Sequence, residues 1–153
     1  MASSAKTTPA ISKQKSKESV TTVGNISGKL LLTICSANLL RDVDTFGKQD
    51  PFVTLNLAEQ FWSWKSKVVE SGGKTPNWNE TVEIPVKNQE QDMLLKVMDD
   101  DLGSLEEMVC SALVPIKSLC VSNGFDADIK LDFKGKDSGT IRLKATFEPD
   151  KSP

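Results

Sequence analysis

Short apolar runs separated by turn-forming residues constrain this chain more than any other feature. Runs that recur about every 8 to 12 residues are typical of a sandwich of β-strands rather than of helices. Eight such runs follow Gly28. They are KLLLTICSA, PFVTLNL, WSWKSKVV, ETVEIPV, DMLLKVM, MVCSALVPI, ADIKLDF and GTIRLKATF. The sequence therefore predicts an all-β domain of eight strands.

The run WSWKSKVV illustrates the period of two that a half-buried strand requires. One face of the predicted strand carries Trp62, Trp64, Ser66 and Val68. Lys65 and Lys67 then lie on the opposite, solvated face. No convincing amphipathic helix is present, although IKSLCVSN is compatible with a single helical turn in a connection.

Composition narrows the class of protein. The net charge of -2 provides no general attraction for nucleic acid, and the absence of histidine removes the commonest proton-transfer side chain near neutral pH. Three cysteines without a CxxC spacing argue against a disulfide framework or a zinc site. No apolar run reaches the roughly 20 residues of a membrane span. We therefore expect a non-enzymatic, soluble, cytoplasmic protein.

The domain boundaries follow from composition. Residues 1–25 are rich in Ser and Thr and carry a charge of +3, which leaves -5 for the remainder. We expect these residues to be a disordered tail, residues 26–149 a single domain and residues 150–153 a short C-terminal tail. The N-terminal tail is interpreted as a solubilising leader; contact with anionic lipid or with its own acidic domain, and a transit peptide, are alternatives.

Two acidic segments adjoin predicted strands. RDVDTFGKQDPFV precedes one strand and VMDDDLGSLEE follows another, so that six aspartates and two glutamates meet if the loops share one end of the sandwich. Oxygen ligands without His or Cys select a hard cation, and this number of carboxylates suits Ca²⁺ better than Mg²⁺. An EF-hand does not fit, because counting from Asp99 places Gly103 at the fifth position and Cys110 at the twelfth.

Three motifs, DTFGKQDPFV, TPNWNETVEI and the spacing from Asp99 to Glu107, resemble those of the C2 domain family between Ser27 and Pro149. The resemblance is greatest to small plant single-C2 proteins of the elicitor-responsive and small phloem type. It implies an eight-stranded antiparallel Greek-key β-sandwich with the family's second, phospholipase-like topology. It also implies two calcium ions, with one or three as alternatives. The implied ligands are Asp44, Asp50, Asp99, Asp101 and Glu107.

The resemblance further implies that the calcium-loaded loops dock on anionic phospholipid. The apolar residues implied to insert are Val43, Phe46, Leu102 and Leu105. Lys65 and Lys67 are candidates for binding a lipid headgroup, with an ordinary solvated face as the favoured interpretation. Glu107 stands where the family has aspartate and Cys110 where it usually has glycine, which predicts one fewer or one weaker ion.

Other functions are weighed against this one. A calcium-independent protein-interaction module is the main alternative, because many members of the family have lost the metal. An enzyme with paired carboxylates lacks an acid or base partner of another kind. RNA binding lacks a basic stripe with interleaved aromatic residues. Asp42, Asp100 and Glu106 are expected to be solvated neighbours of the metal ligands.

Overall fold

Eight antiparallel strands form the framework of the protein. The structure is a computed structural model, and it describes residues 26–44, 47–101 and 106–151. The strands are β1 (Gly28–Leu39), β2 (Pro51–Leu57), β3 (Trp62–Lys65), β4 (Asn77–Val86), β5 (Asp92–Asp99), β6 (Glu107–Pro115), β7 (Phe125–Phe133) and β8 (Lys136–Pro149). A 3₁₀ turn, Ala58–Gln60, links β2 to β3, and a short helix, Ile116–Leu119, follows β6. None of the described helices is long and apolar enough to cross a bilayer.

The strand order explains how two layers arise. The strands are hydrogen-bonded in the order β3-β2-β5-β6-β7-β8-β1-β4. Between β6 and β7 the pairing is reduced to Ser111 with Asp132. The strand order therefore divides at this point into two layers of four strands. The first strand pairs with the last, from Gly28 with Pro149 to Leu39 with Gly139. This arrangement confirms the predicted sandwich with the second topology.

Alternating residues of both layers fill the space between them. In β1 the fully buried side chains are Leu30, Leu32 and Ile34, and in β5 the alternate residues Met93, Leu95 and Val97 are fully buried. Each such side chain contributes about 1.5–3 kcal/mol when buried. Trp78 lies in the same core, and Trp62 and Trp64 pack against it from the edge strand, as expected. The core therefore fixes the strand ends that carry the acidic loops.

One predicted strand is shorter in the structure. The ladder between β2 and β3 ends at the pair Thr54 and Lys65, although the inward and outward alternation continues to Lys67. The side-chain oxygen of Ser66 accepts the N–H of Val53 at 2.8 Å, which replaces a backbone acceptor and ends the regular pairing. Lys67 consequently lies in a loop rather than on the strand, which corrects the prediction.

The two ends of the sandwich differ in content. Four connections lie at one end: loop 1 (residues 40–50), loop 2 (66–76), loop 3 (100–106) and the turn between β7 and β8. At the other end the hydroxyl of Ser27 donates to Asp150 Oδ2 at 2.8 Å, and the Asp150 N–H donates to the Ser27 carbonyl at 2.9 Å. The 12 residues of β1 separate these ends, a length of about 40 Å for an extended strand.

Candidate metal centre

Loops 1 and 3 are joined directly where β5 ends. Asp99 is the last residue of β5 and pairs with Pro51 on one side and Glu107 on the other. Its Oδ1 accepts the Asp50 N–H at 2.7 Å, and the Asp100 N–H donates to the Asp50 carbonyl at 3.0 Å. These two bonds hold the acidic segments together, as the sequence predicted.

Three carboxylates converge at this junction. Asp44, Asp99 and Asp101 each place one oxygen within 4.8 Å of the other two. One cation with bond lengths of about 2.3–2.6 Å could contact three oxygens spaced in this way. The three residues come from loop 1, the end of β5 and the start of loop 3, so the fold rather than local sequence brings them together.

Asp99 is the most constrained of the three. Its side chain is 0% exposed, and its Oδ2 has no hydrogen-bond partner among the described residues. Burial is the largest cause that raises its pKa from 3.8 to about 6; the Asp50 N–H lowers the pKa, and the charges of Asp101 and Asp44 raise it. A buried carboxylate oxygen without a donor is costly, and a bound cation would compensate for it. The donor set therefore fits a hard metal ion.

The other two predicted ligands lie at the margin of this cluster. Asp50 Oδ1 accepts the N–H of Ser71 in loop 2 at 2.6 Å. Glu107 is exposed at the start of β6, in register with Asp99. Neither belongs to the group of three within 4.8 Å. Asp50 thus links loop 1 to loop 2 in this structure, and its role and that of Glu107 as ligands stay predictions.

The predicted solvated neighbours make specific contacts. Asp42 Oδ1 accepts the Asp44 N–H at 3.0 Å and so shapes the backbone just before the cluster. Glu106 Oε2 lies 3.3 Å from Lys65 Nζ. Asp42 acts here as a structural residue of loop 1.

Gln49 is a site residue that the sequence analysis missed. It is 0% exposed, and its Nε2 donates to the carbonyls of Arg41 at 2.8 Å and Gly73 at 3.0 Å. Its Oε1 accepts the Val43 N–H at 3.0 Å. One amide therefore connects two points of loop 1 and one of loop 2. The feature of the sequence that could have indicated this role is a long amide side chain immediately before the Asp-Pro pair.

The predicted lipid-contacting residues are only partly placed. Val43 is half-buried and packs against the core, so only part of its side chain is available to lipid. Phe46, Leu102 and Leu105 lie outside the described residues.

Lys65 belongs to an outer groove on the layer that contains β3. Its Nζ lies 4.2 Å from the centroid of the Phe52 ring. The groove has a volume of about 590 Å³ and also contains Thr54 and Lys96, a lysine that the sequence analysis did not single out. Lys67 points to solvent from loop 2, where its N–H donates to Glu80 Oε1 at 2.9 Å.

Comparison with known families agrees with this fold. A model of the C2 domain family matches residues 28–131. The chain belongs to the C2 domain family.

Within the family, the chain is similar to small plant single-C2 proteins. It is 29% identical over 126 residues to 16 kDa phloem protein 2 of Arabidopsis thaliana, covering 82% of this chain and 84% of that protein. A solved C2 domain-containing protein from a putative elicitor-responsive gene superposes with a TM-score of 0.70 at 27% identity, covering 84% of this chain and 94% of that one. The chain is also 28% identical to a calcium-dependent lipid-binding protein of Arabidopsis thaliana, over 78% of this chain and 25% of that longer protein.

Proposed function

We propose that this protein binds anionic phospholipid membranes in a calcium-dependent manner through loops 1 and 3. The observation that carries the proposal is the convergence of Asp44, Asp99 and Asp101 within 4.8 Å, with a buried oxygen of Asp99 that lacks a partner. The name of the Arabidopsis calcium-dependent lipid-binding relative supports the same assignment.

The chain's own residues have separate roles in this proposal. Asp44, Asp99 and Asp101 hold the first ion, and Asp50 and Glu107 complete the ligand set as the loops close. Ca²⁺ takes six to eight oxygens, so the remaining positions are available to water or lipid phosphate. Gln49 and Asp42 keep loop 1 in place for binding. We propose two ions for the five carboxylates, with one or three as the alternatives.

The proposed switch is electrostatic. Without calcium the clustered carboxylates repel an anionic membrane, and bound calcium reverses the local charge. Once the loops reach the surface, Phe46, Leu102 and Leu105 contact the acyl region, together with the exposed part of Val43. Burial of such side chains contributes on the order of 1.5–3 kcal/mol each when complete. The same charge reversal would favour a peripheral association with the membrane that depends on calcium.

Calorimetric titration with calcium tests the site directly. We expect an Asp99→Asn, Asp101→Asn double variant to bind calcium about 100-fold more weakly or not at all, because affinity depends on the number of charged ligands. The matched control is Asp126→Asn, Asp128→Asn, two exposed carboxylates with the same spacing on β7. Equal heats of calcium binding in the wild type, the double variant and the control would contradict the ligand assignment.

A wild-type protein that binds no calcium would favour the alternative function, a calcium-independent module that binds another protein. Loss of calcium binding in the control as well as in the double variant would also contradict the proposed site, because Asp126 and Asp128 lie on β7, away from the cluster.

A further inference from the structure

A second feature lies at the same end of the molecule as the acidic loops. The turn between β7 and β8 reaches this end because Gly139, near the start of β8, pairs with Leu39, the last residue of β1. Beside this turn is a pocket of about 380 Å³. We call it the basic pocket, and its lining residues are Leu40, Arg41, Phe133, Lys134, Lys136, Asp137 and Ser138.

Arg41 is held rigidly in the basic pocket. Its guanidinium carbon lies 3.6 Å from the centroid of the Phe133 ring, and Lys134 Nζ lies 5.3 Å from the same centroid. Arg41 Nε donates to the Val109 carbonyl at 3.0 Å. Because the aromatic ring and the carbonyl fix the guanidinium, its charge is held at the pocket wall without further loss of side-chain freedom.

The lysines of the basic pocket are free to bind an anion. Lys134 and Lys136 are exposed, and neither forms an ion pair with a carboxylate in the described ranges. The neighbouring acids are engaged elsewhere. Asp137 Oδ2 lies 3.9 Å from Lys130 Nζ, and Asp132 Oδ2 accepts the Gly135 N–H at 3.1 Å. The pocket therefore keeps a net positive charge.

The turn itself holds a lysine in an unfavourable conformation. Phe133 and Lys136 pair, so the turn has two residues, Lys134 with a φ of 53° and Gly135 with a φ of 81°. Asparagine or glycine is preferred at the first of these positions, because glycine has no Cβ and the short polar side chain of asparagine bonds to the local backbone, whereas a long side chain is strained at positive φ. Strained residues at a molecular surface often serve binding. Here the strained residue projects a cation from the end that carries the acidic cluster.

We propose that the basic pocket binds the phosphate of an anionic membrane phospholipid beside the calcium loops, an inference that rests on the proposed function. Three cations surround the pocket, and Leu40, 58% exposed, provides an apolar contact at its rim. Cationic and apolar groups side by side match the boundary between headgroups and acyl chains. The pocket adds membrane affinity and does not contribute to calcium binding.

Charge removal at the turn tests this inference. The variant is Lys134→Asn, Lys136→Gln, because asparagine tolerates the positive φ at position 134. The control is Lys87→Gln, Lys151→Gln, two exposed lysines at the opposite end of the sandwich. Each protein is titrated with calcium alone and then, in calcium, with phosphatidylcholine vesicles that contain or lack phosphatidylserine.

We expect unchanged calcium affinity in both variants. Binding of the turn variant to phosphatidylserine vesicles should weaken about fivefold per lysine, about 25-fold in all, while the control binds like the wild type. Equal vesicle binding by the wild type and the turn variant, or an equal loss of vesicle binding in the control, would overturn the proposed role of the basic pocket. Either result would leave the proposed function intact. A wild type that binds calcium but no vesicles would overturn the proposed function and this inference with it.

Discussion

The carboxylate of Asp99 lies in surroundings that disfavour its charged form. One oxygen is bonded to a backbone N–H, the other has no partner among the described residues, and two more carboxylates lie within 4.8 Å. Such a group gains stability either from a proton or from a cation. In the proposed function, this competition links calcium affinity to pH.

We expect the calcium-free protein to lose stability as the pH rises from about 4 to about 6. The folded state binds a proton at Asp99 more tightly than the unfolded state does, because its pKa is raised to about 6. The stability that this proton provides is complete below the unfolded pKa and is lost as the pH rises through the folded pKa. Urea denaturation at several pH values in calcium-free buffer measures it.

The matched protein for this measurement is Asp99→Asn, which retains the Oδ1 acceptor for the Asp50 N–H. Other carboxylates titrate in both proteins, so the difference between the two curves isolates Asp99. Curves that run parallel between pH 4 and pH 6 would show that Asp99 has an ordinary pKa.

Phe61 is a second residue with a local conflict. It is 98% exposed and has a φ of 50°. We expect Phe61→Asn to raise the free energy of unfolding by about 1 kcal/mol, because asparagine tolerates the left-handed conformation better than a bulky residue. Phe61→Ala lacks the short polar side chain that lets asparagine tolerate this conformation, and it should change little. Thermal denaturation compares the variants, and an equal gain in both would assign the effect to the lost apolar surface instead.

The sequence predicted which acidic residues lie near one another better than it predicted the hydrogen bonds around them. The spacings from Asp44 to Asp50 and from Asp99 to Glu107 carried the resemblance to the family, together with the motif TPNWNETVEI. In the structure, Asp44, Asp99 and Asp101 converge. The bond from Ser71 to Asp50 could not be predicted, because it depends on how loop 2 folds back over loop 1. Gln49 was missed because a glutamine in a polar loop is ordinarily exposed.

Among the elements, loops 1 and 2 behave as one unit through Gln49. The Gly73 N–H also donates to the Gln49 carbonyl at 3.0 Å, so backbone and side chain both cross between the loops. Gly73 has a φ of 62°, a conformation that glycine adopts without strain. The proposed calcium ligands in loop 1 therefore depend on a residue outside the cluster of three carboxylates.

We expect Gln49→Met to weaken calcium binding by about 10- to 100-fold, because residues that orient metal ligands have effects of this size. The control is Gln91→Met: Gln91 is 6% exposed, and its Nε2 donates at 2.9 Å to Gln60 and at 2.7 Å to Asn88 near the opposite end. Both variants should lose about 1–3 kcal/mol of stability. Calorimetry separates them, and equal calcium affinities would reduce Gln49 to a purely structural residue.

The strands show where sequence patterns are sufficient. Short apolar runs bounded by turn-forming residues predicted each of the eight strands, because every strand contributes apolar side chains to a shared core. The end of β3 at Lys65 escaped prediction, because Ser66 keeps the alternation while its hydroxyl replaces a backbone acceptor. A pattern of burial does not reveal which atom accepts a hydrogen bond.

For the whole molecule, the two ends of the sandwich have separate tasks in the proposed function. The acidic cluster and the basic pocket share one end, whereas Ser27 and Asp150 join the first and last strands at the other. In the proposed function, a membrane bound at the loop end lies on the opposite side of the sandwich from Ser27 and Asp150.

Calcium should stabilise the folded protein as a whole. A ligand that binds only the folded state adds about 2.7 kcal/mol at a concentration 100 times its dissociation constant. We expect the melting temperature to rise with calcium concentration, and to rise much less in the Asp99→Asn, Asp101→Asn variant. Magnesium at the same concentration provides the control for ionic strength. An equal shift with both metals would indicate screening of the acidic loops rather than a specific site.

Calcium-dependent binding to anionic membranes is the central claim, and sedimentation with phosphatidylserine vesicles tests it most directly. The protein is mixed with vesicles in calcium or in a chelator, with phosphatidylcholine vesicles as the lipid control. The account predicts that the protein sediments with phosphatidylserine vesicles in calcium and stays in the supernatant in the chelator. Equal sedimentation with and without calcium would contradict it.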